Sequence, residues 1–459
     1  MTKVHFIGIG GTGMSAIALL LLEKGWHVSG TDRSTSRYFD AVTAKGAYTL
    51  LGHSPELALE ADVIVRSSAV RDDDPEVIAA HEKGIPVLKR NDFLPGLTDG
   101  YQTLAVAGSH GKTTGTAMLI TMLRGLNMDP TFILGAQIRP LGTNAHAGSS
   151  DLFVIEADEY DYMFLGLNPK ISLLTNVEYD HPDFFTTPEV YSQAFAAFIR
   201  RTQPDGAVIA CAEDEGVRSL LQNEDFEGIR MLTYGYGADC TYQVQNVHWN
   251  GDGYDFSLRY APTQELLGAF VLSVPGRHNL LNASGALAVL HQLGLDPAGA
   301  SESLANFRGT ERRFEQVCHR GDTVVINDYG HHPTQLNLTL EAARELYPDH
   351  RLWAVWEPHT FSRTDRMQQA FTVALQRADR VVILPTYAAR EFVETDTPKL
   401  IARDIPDSKA AYIPDFAEAA EFVAREADGL NVVIVFSAGK GPEFANMLCW
   451  RLDARRQND

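Results

Sequence analysis

The stretch Ala107-Gly108-Ser109-His110-Gly111-Lys112-Thr113-Thr114 has the residue types and spacing to handle phosphate. An apolar run, Thr103-Leu104-Ala105-Val106, precedes it and reads as a buried strand. Residues 117–123 follow with apolar positions at helical spacing. Small residues between a strand and a helix let backbone N–H groups converge on phosphate oxygens, and the helix N-terminus adds a favourable dipole. Lys112 would reach the β- and γ-phosphates of a nucleotide, and the Thr113 hydroxyl would ligate Mg2+. The full P-loop pattern requires glycine at position 106, where Val106 stands, so the motif is the shorter G-x-x-G-K-T-T. An ordinary strand–turn–helix with a surface lysine is the alternative.

Carboxylates follow at a suitable place. Asp151-Leu152-Phe153-Val154-Ile155 reads as a strand, and Glu156, Asp158, Glu159 and Asp161 put four acids into six positions at its end. Such acids beside a phosphate-loop strand are placed to hold Mg2+. A further strand, residues 171–176, leads to Asp180-His181, either a metal pair or a polar-capped turn. Asn279 and Asn282 are three apart and share a helical face, suited to adenine or substrate.

These residues need a scaffold of parallel strands. Lys3-Val4-His5-Phe6-Ile7 and the G-x-G-x-x-G run Gly8–Gly13 open a Rossmann-like unit, with Asp32 closing a second strand about twenty residues later. That motif alone admits an NAD site, tight helix–strand packing, or another diphosphate nucleotide. Asn91–Gly100 reads as a linker. Residues 241–248, 255–260 and 269–274 alternate apolar and polar, predicting a small antiparallel sheet added beside the core. Strand–helix units resume near Gly309, with strands at residues 323–326, 352–356, 380–384 and 432–436, and the charged tail from Asp453 reads as frayed. The adjacent His331 and His332 have no partner at metal spacing, which argues against zinc.

At 459 residues, 45% hydrophobic and 21% charged, the chain suits two to four globular domains. A formal charge of −20 argues against nucleic acid or an anionic membrane as partner. The four cysteines, Cys211, Cys240, Cys318 and Cys449, lie far apart and indicate neither a zinc site nor a disulfide framework. The chain starts directly in a strand and has no apolar run of membrane-spanning length, which predicts a cytoplasmic protein.

In this order, A-G-S-H-G-K-T-T, E-A-D-E, N-V-E-Y-D-H, G-R-H-N-L-L-N-A, R-R-F and D-Y-G-H-H-P-T resemble the Mur ligase family along the whole chain. The resemblance implies an α/β protein of three domains. These are a Rossmann-like UDP-substrate domain (1–98), a central P-loop ATPase domain with the small added antiparallel sheet (99–308), and a Rossmann-like amino-acid-binding domain (309–459). It implies that the first glycine loop holds UDP rather than NAD, through Gly10, Gly11, Gly13, Met14, Ser15, Asp32, Ser67 and Ser68, with Asn282 also on the substrate. ATP would meet Gly108, Ser109, His110, Gly111, Lys112, Thr113, Thr114, Asn279, Arg313 and Asp328. Mg2+ would sit on Thr113, Glu156 and His181. Tyr329, His331, His359 and Arg363 would surround an amino acid, and Lys112, Glu156, His181 and Arg363 form the implied catalytic set.

Gly8–Ser15 and Asp328–Thr334 are most similar to the family's alanine-adding members. The implied activity is ATP- and Mg2+-dependent joining of L-alanine to the carboxylate of UDP-N-acetylmuramate in peptidoglycan synthesis, by a monomer or weak homodimer. No lysine occurs between Lys170 and Lys399, so the carbamylated lysine of several later-acting members is absent. Tyr162-Met163-Phe164-Leu165 stands where members that recycle murein tripeptide carry a basic stretch. Those members, acting on the same UDP-sugar, and a nucleotide-binding protein without turnover are the alternatives. Asn327, Glu357 and Thr360 depart from the family pattern, which has aspartate, glutamine and a basic residue at these positions.

Overall fold

Apolar runs bounded by glycine-containing turns become three β-sheets in the computed structural model, which describes residues 2–139, 141–389, 391, 395–406 and 409–458. The first sheet has five parallel strands, ordered Tyr48–Leu51, His27–Asp32, Lys3–Ile7, Val63–Arg66 and Val87–Lys89. The central sheet has ten strands, and the third has six. Helices cover the sheet faces, which is why most strands are apolar on both sides.

In the central sheet the strand Gln102–Ala107 lies between Leu152–Ala157 and Ile171–Leu174. The phosphate loop, the acidic run and the Asp180-His181 segment therefore leave from neighbouring C-terminal strand ends, the edge where open α/β sheets bind ligands. In the third sheet Thr323–Asp328 and Arg351–Trp356 flank Asn431–Phe436 and deliver Asp328–His332 and His359–Arg363 to one edge.

Four expectations are corrected. The segment expected as a linker contains the helix Arg90–Thr98. Pro95 removes one backbone donor within it, but Phe93, Leu94 and Leu97 are buried against the core, and that burial outweighs the loss. The antiparallel strands Tyr242–Trp249, Tyr254–Tyr260 and Glu265–Leu272 are no separate sheet: Tyr242 pairs with Tyr234, so they continue the central one. The C-terminal tail is helical over Gly441–Asn458, and Arg320 pairs with Asp453 at 2.8 Å. Cys318 and Cys449, 131 residues apart, are joined in a disulfide that ties this helix to the strand Glu315–Arg320.

Closing so long a loop restricts the unfolded chain, so reduction should destabilise the third domain by roughly 3–5 kcal/mol. In urea unfolding, reductant should lower the midpoint of the wild-type protein and leave Cys449→Ser unchanged. Equal midpoints with and without reductant would contradict the assignment.

Candidate nucleotide and ligation site

The phosphate loop depends on two close backbone approaches. Gly108 has φ 142°, and a Cβ there would lie 2.0 Å from Thr175 Oγ1; Gly111 has φ 79° and would meet Asn282 Oδ1 at 2.7 Å. Any side chain at either position would collide, and Gly111 initiates the helix Lys112–Gly125 in a left-handed conformation. Asn176 brackets His110, its Oδ1 accepting from the His110 N–H at 2.7 Å and its Nδ2 donating to the His110 carbonyl at 2.9 Å.

Lys112 points into the protein. Its Nζ lies 2.7 Å from Glu159 Oε2 and donates to the carbonyls of Gly108 and Ser109. Glu159 is completely buried, and it also accepts from Tyr191 and faces His181 Nε2 at 3.5 Å. Burial opposes ionisation of Glu159, but Lys112 and His181 outweigh it and hold its carboxyl at about 2. Thr113 Oγ1 donates to Glu156 Oε1 at 2.8 Å, and Glu156 Oε2 accepts from Gly135 N–H. A hydroxyl and a carboxylate in contact form a hard-oxygen set that fits a divalent cation such as Mg2+. His181 stands on the neighbouring strand end with φ 56°, a conformation that non-glycine residues hold only under constraint.

A cavity of about 420 Å3 opens beside this loop, lined from the second and third domains. It gathers His110, Gly111, Thr113, Thr114, Asn279, Arg313 and Asp328 of the expected ATP contacts, together with Asn282, expected on the UDP substrate. Asn282 thus sits on the phosphate loop, in a cavity with no lining residue from the first glycine loop. Cys211, Tyr234 and Pro275 add an apolar portion of the wall, and the neutral His278, pushed down to about 4 by burial and by Arg313, lines it as well. Asp328 accepts from the N–H groups of Phe314 and Gly330 at 2.8 and 2.7 Å; burial pushes its carboxyl up. The cavity residues Cys211 and Tyr234 carry no motif in sequence, and only the fold brings them to the His278 that precedes Asn279 in the G-R-H-N-L-L-N-A run.

In the first domain Asp32 accepts from Gly10 N–H at 2.9 Å and so ties the glycine loop to the second strand. Ser67 packs on Gly8. Met14 and Ser15 turn inward, Ser15 donating to the Thr12 carbonyl, so their side chains belong to the helix Thr12–Glu23 and its core. Sequence reasoning missed Arg90: its Nη1 lies 2.5 Å from where a Cβ on Gly13 would be, and it pairs with Asp158 at 3.6 Å. A guanidinium held against a helix N-terminus suits an anion between them, the role expected of a diphosphate. The basic pair Lys89-Arg90 at a strand end was the available signal.

The third domain adds a buried polar cluster. Arg363 Nε and Nη2 both lie 2.8 Å from Asp180 Oδ1, and each residue is only 1% exposed. Arg363 Nη1 faces His359 Nδ1 at 2.8 Å. His331 Nε2 lies 3.6 Å from Asp180 Oδ2, and burial together with Arg363 pushes its imidazole down to about 3. Tyr329 stands outside the cluster proper, stacked under Arg312 and Arg313 and edge-on to His331. Thr360 is buried at φ 65°, and its hydroxyl has no partner among the described residues. Glu357 accepts from Ser437 and from Lys440 N–H, while Asn327 Oδ1 has no partner among the described residues. His332, set aside for metal binding on sequence spacing, comes together with His110 and Glu178, with ligand-type atoms within 4.8 Å of one another.

Three family models match the chain: Mur ligase family, catalytic domain (residues 3–102), Mur ligase middle domain (106–290) and Mur ligase, glutamate ligase domain (312–439). The chain is 40% identical to a UDP-N-acetylmuramate–L-alanine ligase of Frankia casuarinae, over 95% of this chain and 93% of that protein. It is 39% identical to the corresponding ligase of Mycolicibacterium smegmatis, over 96% and 92%. Among solved structures, the UDP-N-acetylmuramate-alanine ligase of Thermotoga maritima superposes with a TM-score of 0.82 at 28% identity, over 99% of this chain and 100% of that one. A murein peptide ligase of Psychrobacter arcticus shares the fold, with a TM-score of 0.77 at 22% identity, over 98% and 99%.

The low pKa of Glu159 has a signed consequence for stability. Its folded value, about 2, lies below the unfolded value of 4.5, so its contribution is present above pH 4.5 and is lost as pH falls towards 2. The difference is on the order of 3 kcal/mol. In urea unfolding, Glu159→Gln should be less stable than wild type at pH 7, and the gap should narrow as pH falls from about 5 to 3. A gap independent of pH would rule this out.

Proposed function

The chain belongs to the Mur ligase family, and we propose that it joins L-alanine to the carboxylate of UDP-N-acetylmuramate in peptidoglycan precursor synthesis, using ATP. The observation that carries this reading is the site's division of labour. One domain presents a glycine loop backed by Arg90, the second a phosphate loop with Lys112, and the third the half-buried His331 and His359 beside the buried Arg363. The full-length likeness to ligases of that name supports the choice of substrates.

The chemistry follows from a poor electrophile. A carboxylate resists attack by an amine, so its oxygen first forms a bond to the γ-phosphorus of ATP and ADP leaves. The amine then attacks the acyl carbon, phosphate leaves with the C–O bonding pair, and the nitrogen sheds a proton as the amide forms. Charge spread over the transferring phosphoryl oxygens is met by positioned cations and N–H donors. Lys112 meets it by exchanging the Gly108 and Ser109 carbonyls for phosphate oxygens. Its ammonium stays charged because Glu159, Asp158 and Glu156 outweigh the cost of its burial. Thr113 and Glu156, with His181 from the adjacent strand, would hold Mg2+, which when bound neutralises phosphate charge. Arg313 and Asp328 bring the third domain onto the nucleotide and narrow the path for water.

The amino acid is placed against His331, His359 and Arg363, where Thr360 contributes a hydroxyl instead of a cation. The reading includes a cytoplasmic location and a monomer or weak homodimer. Among the described residues, no helix is long and apolar enough to cross a membrane.

Phosphate release from ATP and Mg2+ with UDP-N-acetylmuramate should depend on L-alanine. Lys112→Ala should lower kcat by more than about a thousandfold, since it removes a charged contact to the transferring group. Release with the murein tripeptide alone would reassign the acceptor, and no release with any amino acid would remove the proposed activity.

A further inference from the structure

One carboxylate connects the phosphate loop to the third domain. Glu178 Oε2 accepts from His110 Nε2 at 3.0 Å, within the loop. Its Oε1 accepts from the Thr334 hydroxyl at 2.6 Å, on the first turn of the third-domain helix Pro333–Leu346. Within the second domain the backbone fixes Glu178 to the loop: Glu178 N–H donates to Ser109 Oγ at 2.8 Å, and Ser109 Oγ donates to the Glu178 carbonyl at 2.7 Å.

The hydrogen-bond directions are fixed by the helix start. Gln335 Oε1 accepts from the N–H groups of His331 and His332, so the other end of its amide, Nε2, is the atom 2.9 Å from His110 Nδ1. His110 Nδ1 must then accept, its Nε2 carries the proton, and Glu178 is the acceptor. The His332 ring lies over His110 with centroids 4.7 Å apart. Undocking the third domain would take Thr334, Gln335 and His332 away together and leave the His110 ring held by Glu178 alone, its backbone still bracketed by Asn176.

We propose that Glu178 is a positioning residue that makes the working shape of the phosphate loop conditional on docking of the third domain, so that ATP is committed only when the amino-acid-bearing domain is in place. This rests on the ligase reading above. It requires the two hydrogen bonds of Glu178 and not its charge. Glutamine at 178 can direct its oxygen to His110 and its NH2 to the Thr334 hydroxyl, so E178Q should rescue what E178A loses.

The test compares wild type, E178A, E178Q, T334V and E178A/T334V, each with thermal unfolding to show that it folds. E178A and T334V should lower kcat for phosphate release about tenfold or more, with KM for ATP within about threefold. The double variant should be no worse than E178A, and E178Q should lie within about threefold of wild type. With ADP and Mg2+, small-angle scattering of wild type and E178Q should fit the docked arrangement, while E178A and T334V should be more extended. E178Q as impaired as E178A, multiplicative effects in the double variant, or scattering curves that coincide for wild type and E178A would each overturn the proposal. If wild type releases no phosphate, the ligase reading has failed, and the scattering comparison still decides the role of Glu178. T334V leaves Glu178 in place and carries the test if E178A does not fold.

Discussion

Docking of the third domain buries an ion pair. Asp180 and Arg363 are 183 residues apart in sequence and meet with almost no exposure to solvent. Desolvating two charges costs several kcal/mol per ion, and the attraction recovers it only when the remaining donors and acceptors are also satisfied. Here the His181 N–H donates to the same Asp180 oxygen, and His359 takes the outer Arg363 nitrogen. A partly opened seam would leave either charge buried without its partner, the arrangement most costly in a low dielectric. The seam therefore favours two positions, docked or fully solvated, over a continuum between them.

The second constraint lies in the phosphate loop, and it separates what the sequence makes legible from what it does not. That Gly108 and Gly111 must be glycine is readable locally, because G-x-x-G-K-T-T between strand and helix is a contiguous signal. What they make room for is not: Thr175, Asn176 and Asn282 come from a neighbouring strand end and a distant helix. The same holds for Lys112. Its identity was plain, but its partner Glu159 was one of four acids in a run, and only the fold shows that Glu159 is the buried one while Glu156 faces Thr113.

The misreadings share a cause. The helix Arg90–Thr98 contains proline and glycine and reads as a linker until the core that receives Phe93, Leu94 and Leu97 is present. Cys318 and Cys449 are unremarkable in sequence because their pairing depends on an edge strand and the C-terminal helix packing side by side. Ser15 follows the first glycine loop, and helical periodicity turns its side chain inward. Short-range pattern specifies element and motif; long-range packing decides which members of the motif face the ligand.

Net charge illustrates the same division. A chain at −20 would repel a nucleotide and a nucleotide-sugar if its charge were spread evenly. The acids near the phosphate loop are instead committed: Glu159 to Lys112, Glu156 to Thr113 and Gly135, Asp158 to Arg90, and Asp161 to Lys89. Each holds a cation or donor in place, while the helices beginning at Thr12 and Lys112 supply N–H groups and positive dipole ends without any side-chain charge. The proposed activity would then draw its anion binding mainly from oriented backbone and from a few anchored cations. Such a site tolerates an acidic surface, because helix-end donors act over the first turn and surface charge is screened within about 8 Å at physiological salt.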